Sequence, residues 1–348
     1  MASLKPALLW GSSQAGSSLV LASSSWLVSG LSPSPLVNSL LPVLGTLPLL
    51  LPLRRRPAAY GLQLLSTGLL LLVSLGQLQQ GPSKTWLLLG TLLAVLLFSL
   101  GSELSQLPLQ QRLLAHPGSS MRQLRLGSDL GSLLGNLLTA VLFPAVRQFP
   151  PALLLLLPLS RAAWHPAGAD LAGQPAEPPS TPPMDRRCSL QGLLFGSLFA
   201  LLPLWVRVIG AGKCFDFAML LVAYGLGRSL GGQLPAMAAG LRYGLMALLL
   251  AGASIVPGWG AVLLFTPLGA LAAASDAQLV ADLRQADPAL GWQILRRSAA
   301  IGGLIGSLLM GVLSQGLGLG WALPLQLLGF ATIALLMRWP TSPTAPQP

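Results

Sequence analysis

Apolar blocks close to twenty residues long recur along the whole of this chain, separated by short polar turns. A helix needs about 20 residues to cross roughly 30 Å of hydrocarbon, so blocks of this length suit membrane crossing. Charged residues are only 8% of the sequence against 53% apolar, too little charge to cover a soluble domain of 348 residues. The sequence predicts an all-α integral membrane protein whose first partner is the lipid bilayer. Twelve spanning helices are expected, at residues 7–30, 34–53, 58–78, 85–103, 126–146, 148–163, 189–208, 214–233, 238–256, 258–276, 298–316 and 320–338. Lys5 is the only early charge and the block after it is polar, so the first is read as a retained helix and not a signal peptide.

A duplication constrains how these helices are arranged. Leu133-Leu134-Gly135-Asn136-Leu137-Leu138 reappears as Leu304-Ile305-Gly306-Ser307-Leu308-Leu309, an offset of 171 that also carries Gly131 onto Gly302 and Arg125 onto Arg296. Upstream, at an offset of 172 or 173, Ser102-Glu103 aligns with Ser275-Asp276 and Arg112 with Arg284. Each copy runs in the same order: an acid ending an apolar segment, a polar loop, basic residues, then a glycine-spaced helix. A parallel repeat over half the length is expected of a secondary transporter.

The basic residues give the orientation. With the N-terminus in the cytoplasm, fifteen of the twenty Lys and Arg face the cytoplasm, only Lys84, Arg147, Arg207 and Lys213 fall outside, and Arg228 lies within a helix. That bias places both termini in the cytoplasm, in the inner membrane if the source is bacterial. The net charge of +11 is spread between apolar segments with no interleaved aromatic residues, so nucleic acid is not an expected partner. Residues 164–188, rich in Pro, Gly and Ala, read as a cytoplasmic linker between bundles at 1–163 and 189–339, with a disordered tail at 340–348. Cys188 and Cys214 are predicted on opposite sides of the bilayer and have no metal-ligand spacing, so neither a disulfide nor a metal is expected.

Six helices, a linker and six more in parallel repeat resemble the major facilitator superfamily. Local sequence adds to this: Ser34-Pro35-Leu36-Val37 with Leu47-Pro48 is similar to the first-to-second helix region of the exporter-like branch. Arg54, Arg55 and Arg56 sit where that family keeps its cytoplasmic basic loop, and Leu220-Leu221 with Tyr224-Gly225-Leu226-Gly227 resembles its eighth helix. The resemblance implies two six-helix bundles that transport by alternating access, and the branch implies export. One departure is specific: Leu50-Leu51-Pro52-Leu53 precedes Arg54, so the glycine and aspartate of the family's loop motif are missing. In the family that aspartate helps latch the halves on the cytoplasmic side.

Chemistry concentrates on the segment 126–146. Gly127, Gly131 and Gly135, four apart, make one smooth stripe for close helix packing, repeated by Gly302 and Gly306. Roughly opposite lie Asp129, Ser132, Asn136 and Thr139, a polar stripe suited to a solute cavity. Asp129 is alternatively an interfacial charge. A second stripe, Gln14, Ser17, Ser18, Ser24 and Ser25, either lines the same cavity or packs, since serines satisfy their own backbone carbonyls. The family packs its fifth and eighth helices together, which implies that Asp129 and Arg228 form a gate ion pair replacing the missing latch. Alternatively Arg228 reaches the headgroups. Glu103 and Asp276 read as structural acids at helix ends, and Asp216 as an interfacial charge.

No histidine falls in a predicted helix and Asp129 has no catalytic partner by spacing, so an enzyme is not expected, and no cofactor. The function read from the sequence is a monomeric secondary transporter of a small neutral or amphipathic solute, coupled to a proton or sodium ion if coupled at all. The alternative is a non-transporting membrane scaffold or assembly factor that keeps the fold.

Overall fold

The computed structural model describes residues 5–51, 59–79, 83–115, 121–148, 183–256, 258–283 and 288–337. They form α1 (Lys5–Leu31), α2 (Pro35–Leu50), α3 (Ala59–Gln79), α4 (Lys84–Ala115) and α5 (Met121–Gln148). After the gap come α6 (Arg186–Val208), α7 (Cys214–Leu230), α8 (Ala239–Ile255), α9 (Trp259–Asp282), α10 (Pro288–Leu317) and α11 (Ala322–Leu336). Short 3₁₀ turns follow α7 (Gly231–Gln233) and precede α11 (Leu319–Trp321). The predicted sixth helix beyond Gln148, most of the linker, Arg54–Arg56 and the tail at 340–348 lie outside the described residues.

Among the described residues there are no strands, and seven helices are long and apolar enough to cross a membrane: α3, α4, α6, α7, α9, α10 and α11. Two more, α2 and α8, are apolar but shorter. The chain is an integral, multi-pass membrane protein. Leu72, Leu248, Leu263, Leu328 and Leu335 point outward, as lipid-facing side chains do.

Several helices outrun their apolar blocks. The fourth, expected to end at 103, continues to Ala115, and the one expected from 298 begins at Pro288. Hydropathy marks the stretch that crosses hydrocarbon, whereas Gln, Leu, Ala and Arg keep a helix going beyond it. Glu103 is therefore well inside α4 and not at its end. Helix α6 starts at Arg186, inside the range read as linker, because Asp185 caps it by accepting from the Cys188 amide at 2.8 Å.

The packing repeats itself. Helix α1 lies against α5, and α6, its counterpart after the gap, lies against α10. A Cβ added at Gly131 or Gly135 would collide with the carbonyls of Gly11 and Ala15, and one at Gly302 or Gly306 with those of Ser189 and Leu193. The duplicated glycines thus serve the same helix crossing in both copies. Contacts between the two groups are also reciprocal: α5 packs on α7, and α2 packs on α10. These crossings bring the polar face of α5 opposite α7.

Candidate functional site

Helix α5 presents three faces. Its glycines meet α1, Leu130, Leu134, Leu137 and Val141 are exposed, and Asp129, Ser132 and Asn136 face α7. Between α5, α6 and α7 lies a cavity of about 220 Å³, lined by Asp129, Ser132, Asn136, Phe199, Leu221, Tyr224, Gly225 and Arg228. The walls differ in character. Polar groups of α5 form one side, and opposite them the rings of Phe199 and Tyr224 meet edge-on, 4.9 Å apart. Asn136 lies seven residues beyond Asp129, so the polar wall rises about 10 Å above the carboxylate.

Arg228 closes the lower end of this cavity between two carboxylates. Its Nη2 donates to Asp276 Oδ2 at 2.9 Å, and its Nε stands 3.5 Å from Asp129 Oδ1. Asp276 belongs to α9, which packs tightly on α7: a Cβ at Gly227 would strike the Thr266 carbonyl, and one at Gly269 the Tyr224 carbonyl. Gln191 donates to the other Asp276 oxygen, and accepts from the hydroxyls of Ser275 and of Tyr243, the latter at 2.7 Å. Arg125 reaches from α5 to the same region, donating to the Ala273 carbonyl at 2.9 Å and lying over the Trp292 ring at 4.6 Å. The repeat-related residues make a second bridge, in which Arg296 of α10 pairs with Glu103 of α4 and also donates to Gln106 at 3.3 Å. This charged layer joins the helices before the gap to those after it.

A second layer joins them at the opposite end of the helices. Arg207 of α6 donates to Ser29 Oγ at 3.0 Å and the Trp26 carbonyl at 2.9 Å on α1, and its guanidinium lies 4.0 Å above the Trp26 ring. Trp26 stacks in turn on Phe217 of α7 at 5.8 Å, and Ser34 donates to Gln315 at 2.7 Å. The cavity lies between the two layers.

Of the sequence candidates, Asp129, Ser132, Asn136 and Arg228 meet at this cavity. Thr139 is buried and donates to the Gly135 carbonyl at 3.0 Å. The serine stripe of α1 is split: Ser17 approaches Ser102 of α4 at 3.2 Å, and the Ser18 Cβ lies beneath Gly135. Ser24 is buried, its hydroxyl without a hydrogen-bond partner among the described residues, and Gln14 is half-buried. Asp216 turns back to accept from the Lys213 amide at 2.7 Å, so it caps α7. Sequence reasoning missed Asp276 as a partner of Arg228, Gln191 as the residue that holds Asp276, and the Glu103–Arg296 bridge. The repeat already held the signal, because Ser-acid and Arg recur together in both copies.

No family model matches the sequence, and no curated protein matches it. Solved structures do match. A variant of the nucleoside transporter NupG superposes with a TM-score of 0.63 at 10% identity, covering 96% of this chain and 98% of that one. A bacterial homolog of the human lysosomal transporter Spinster, inward-facing and occupied, gives a TM-score of 0.55 at 15% identity over 96% and 91%. Both are major facilitator superfamily transporters, and this chain has their fold.

Proposed function

We propose that this chain is a secondary transporter that moves a small neutral or amphipathic solute across the membrane by alternating access. The observation that carries this reading is the cavity of about 220 Å³ between α5 and α7, polar on one wall and aromatic on the other, in a transporter fold. Asp129, Ser132 and Asn136 orient the solute through hydrogen bonds, while Phe199, Leu221 and Tyr224 cover its apolar part. The two bundles, residues 1–163 and 189–339 with a linker at 164–188, rock about this site.

The charged layer is the cytoplasmic gate, following the distribution of basic residues, and the Asp129–Arg228 pair takes the place of the missing loop latch. The Arg207–Trp26 layer is the outer gate. Each layer must part when its side opens, so solute binding can drive exchange only by favouring one arrangement over the other. The exporter-like resemblance favours outward movement, coupled to a proton or sodium gradient, with the protein acting as a monomer.

Reconstitution in proteoliposomes tests this reading. A solute mixture that includes nucleosides, the cargo in the name of one structural relative, is offered with and without proton and sodium gradients. Uptake by the wild type that falls at least about tenfold in Asp129→Asn and in Asn136→Ala is expected if these groups hold the solute. No uptake of any solute would favour a scaffold or assembly factor. Unchanged uptake in both variants would move the site elsewhere.

A further inference from the structure

We infer that the acyl chain of a membrane phospholipid enters the second group of helices and fills a slot between α6, α8, α9, α10 and α11, separate from the cavity at α5. Among the described residues that line this slot, only Ser197, Ser254 and Gln326 are polar. Its volume is about 40 Å³. Along α6 the lining runs from Ser197 to Trp205, which is about 12 Å of helix. So small a space drawn out over that length is one hydrocarbon chain wide. The closed end needs no polar occupant. Ser197 Oγ donates to Gln326 Oε1 at 2.7 Å, and Gln326 Nε2 donates to the Leu194 carbonyl at 2.7 Å. Water would meet apolar walls along the rest of the slot, and a void there would leave those walls without van der Waals partners. A methylene chain supplies them.

The open end lies where lipid tails begin. Helices α6 and α8 finish at this end and α9 and α11 start from it, on the side of the Arg207 layer. Ser254 is exposed there, and Trp205 and Leu323 are half-buried. Trp259 opens α9 and Trp321 immediately precedes α11, both exposed. Tryptophan gathers at the level of the headgroups, so the mouth opens at the edge of the hydrocarbon and the slot descends into it. Further along the same helices Leu248, Leu263 and Leu328 point outward, so the medium around this wall is lipid. The occupant is therefore a tail whose headgroup stays at the tryptophan level and whose methyl end points towards Gln326. A chain longer than the slot keeps its first carbons at the surface.

The test is photo-crosslinking of the full chain in phosphatidylcholine nanodiscs. Part of the lipid carries a diazirine on one acyl chain, either near its methyl end or beside the glycerol, and mass spectrometry of the digested protein locates the label. The methyl-end probe is expected on Ser197, Leu201 or Gln326, and the glycerol-end probe on Trp205, Ser254 or Leu323. Leu328 and Leu335, which face bulk lipid, give the reference level. Ser254→Trp fills the mouth from an exposed position and should lower methyl-end labelling of the slot at least about fivefold against that reference. Met310→Ala widens the slot and should raise it. If Met310→Ala does not fold, Ser254→Trp decides. Labelling of the closed end no higher than the reference, a glycerol-end probe that reaches Gln326, or labelling that survives Ser254→Trp overturns the inference. So does labelling by a free diazirine fatty acid alone, since the occupant is then not a phospholipid. Failure of the transporter reading leaves these outcomes untouched, because the slot is read by label and not by uptake.

Discussion

At the scale of single residues, Arg228 is shared unequally. Asp276 sits on a helix that packs tightly on Arg228's own and is fixed by Gln191, while Asp129 approaches from the other side of the cavity at a longer distance. A charge swap between positions 129 and 228 would therefore set a carboxylate at position 228 against Asp276, and its failure would say nothing about the 129–228 pair. Neutralising the acids one at a time is the informative comparison. Asp276→Asn leaves Arg228 and Gln191 with a weakened shared partner in a site only 14% exposed, so it is expected to lower stability by about 1–3 kcal/mol. Asp129→Asn removes the looser contact and is expected to cost less. Thermal unfolding of the two purified variants in one detergent gives the order, and equal losses would contradict the unequal sharing. The sequence placed Asp129 and Arg228 near one another only through a family resemblance. It had no means of showing that Asp276, forty-eight residues beyond Arg228, would be the firmer partner.

At the scale of the helix, the duplicated glycines make a prediction that either copy alone could not. Gly131 and Gly302 each meet a backbone carbonyl of the facing helix, on α1 and α6 respectively. Backbone cannot move aside as a side-chain tip can, so Gly131→Ala and Gly302→Ala should destabilise alike, each by about 1–3 kcal/mol. Gly61 and Gly316 have nothing within 4 Å of an added Cβ. Alanine there should be neutral or slightly stabilising, since it restricts the unfolded chain. Melting temperatures of the four variants check both statements together, and a loss at only one of the two duplicated glycines would show that the crossings are not equivalent. The glycine stripes were legible because a four-residue spacing survives any tertiary context. The serine stripe of α1 was not so simple, because spacing shows which residues share a face and not what that face meets. Ser17 meets α4 and Ser18 meets α5. Helix ends were legible where the helix stops with its apolar block, as at Ala239–Ile255, and not where it continues beyond the block, as α4 and α10 do.

At the scale of the whole molecule, two layers of contacts tie the same two groups of helices together on either side of one cavity. The charged layer contains Asp129–Arg228 and Glu103–Arg296, and the other contains Arg207 over Trp26 with Ser34 to Gln315. If the groups rock as bodies, the layers compete: loosening one should favour opening there and closing at the far side. Arg207→Gln removes the guanidinium from Ser29 and from the Trp26 ring, whereas Arg296→Gln removes the bridge to Glu103. Spin labels report on each side, one pair at Ser32→Cys with Gly316→Cys and another at Gln123→Cys with Ala281→Cys, in a background lacking Cys188 and Cys214. Arg207→Gln is expected to lengthen the 32–316 distance while the 123–281 distance holds or shortens, and Arg296→Gln to do the reverse. The shifts should be changes in population between two distances, because packed interfaces of this kind have discrete arrangements. Both variants lengthening both distances would mean that the layers only hold the fold together. The sequence showed the repeat that makes such rocking conceivable, but it could not show the competition, which exists only because Arg207 and Arg296 reach opposite faces of the same junction.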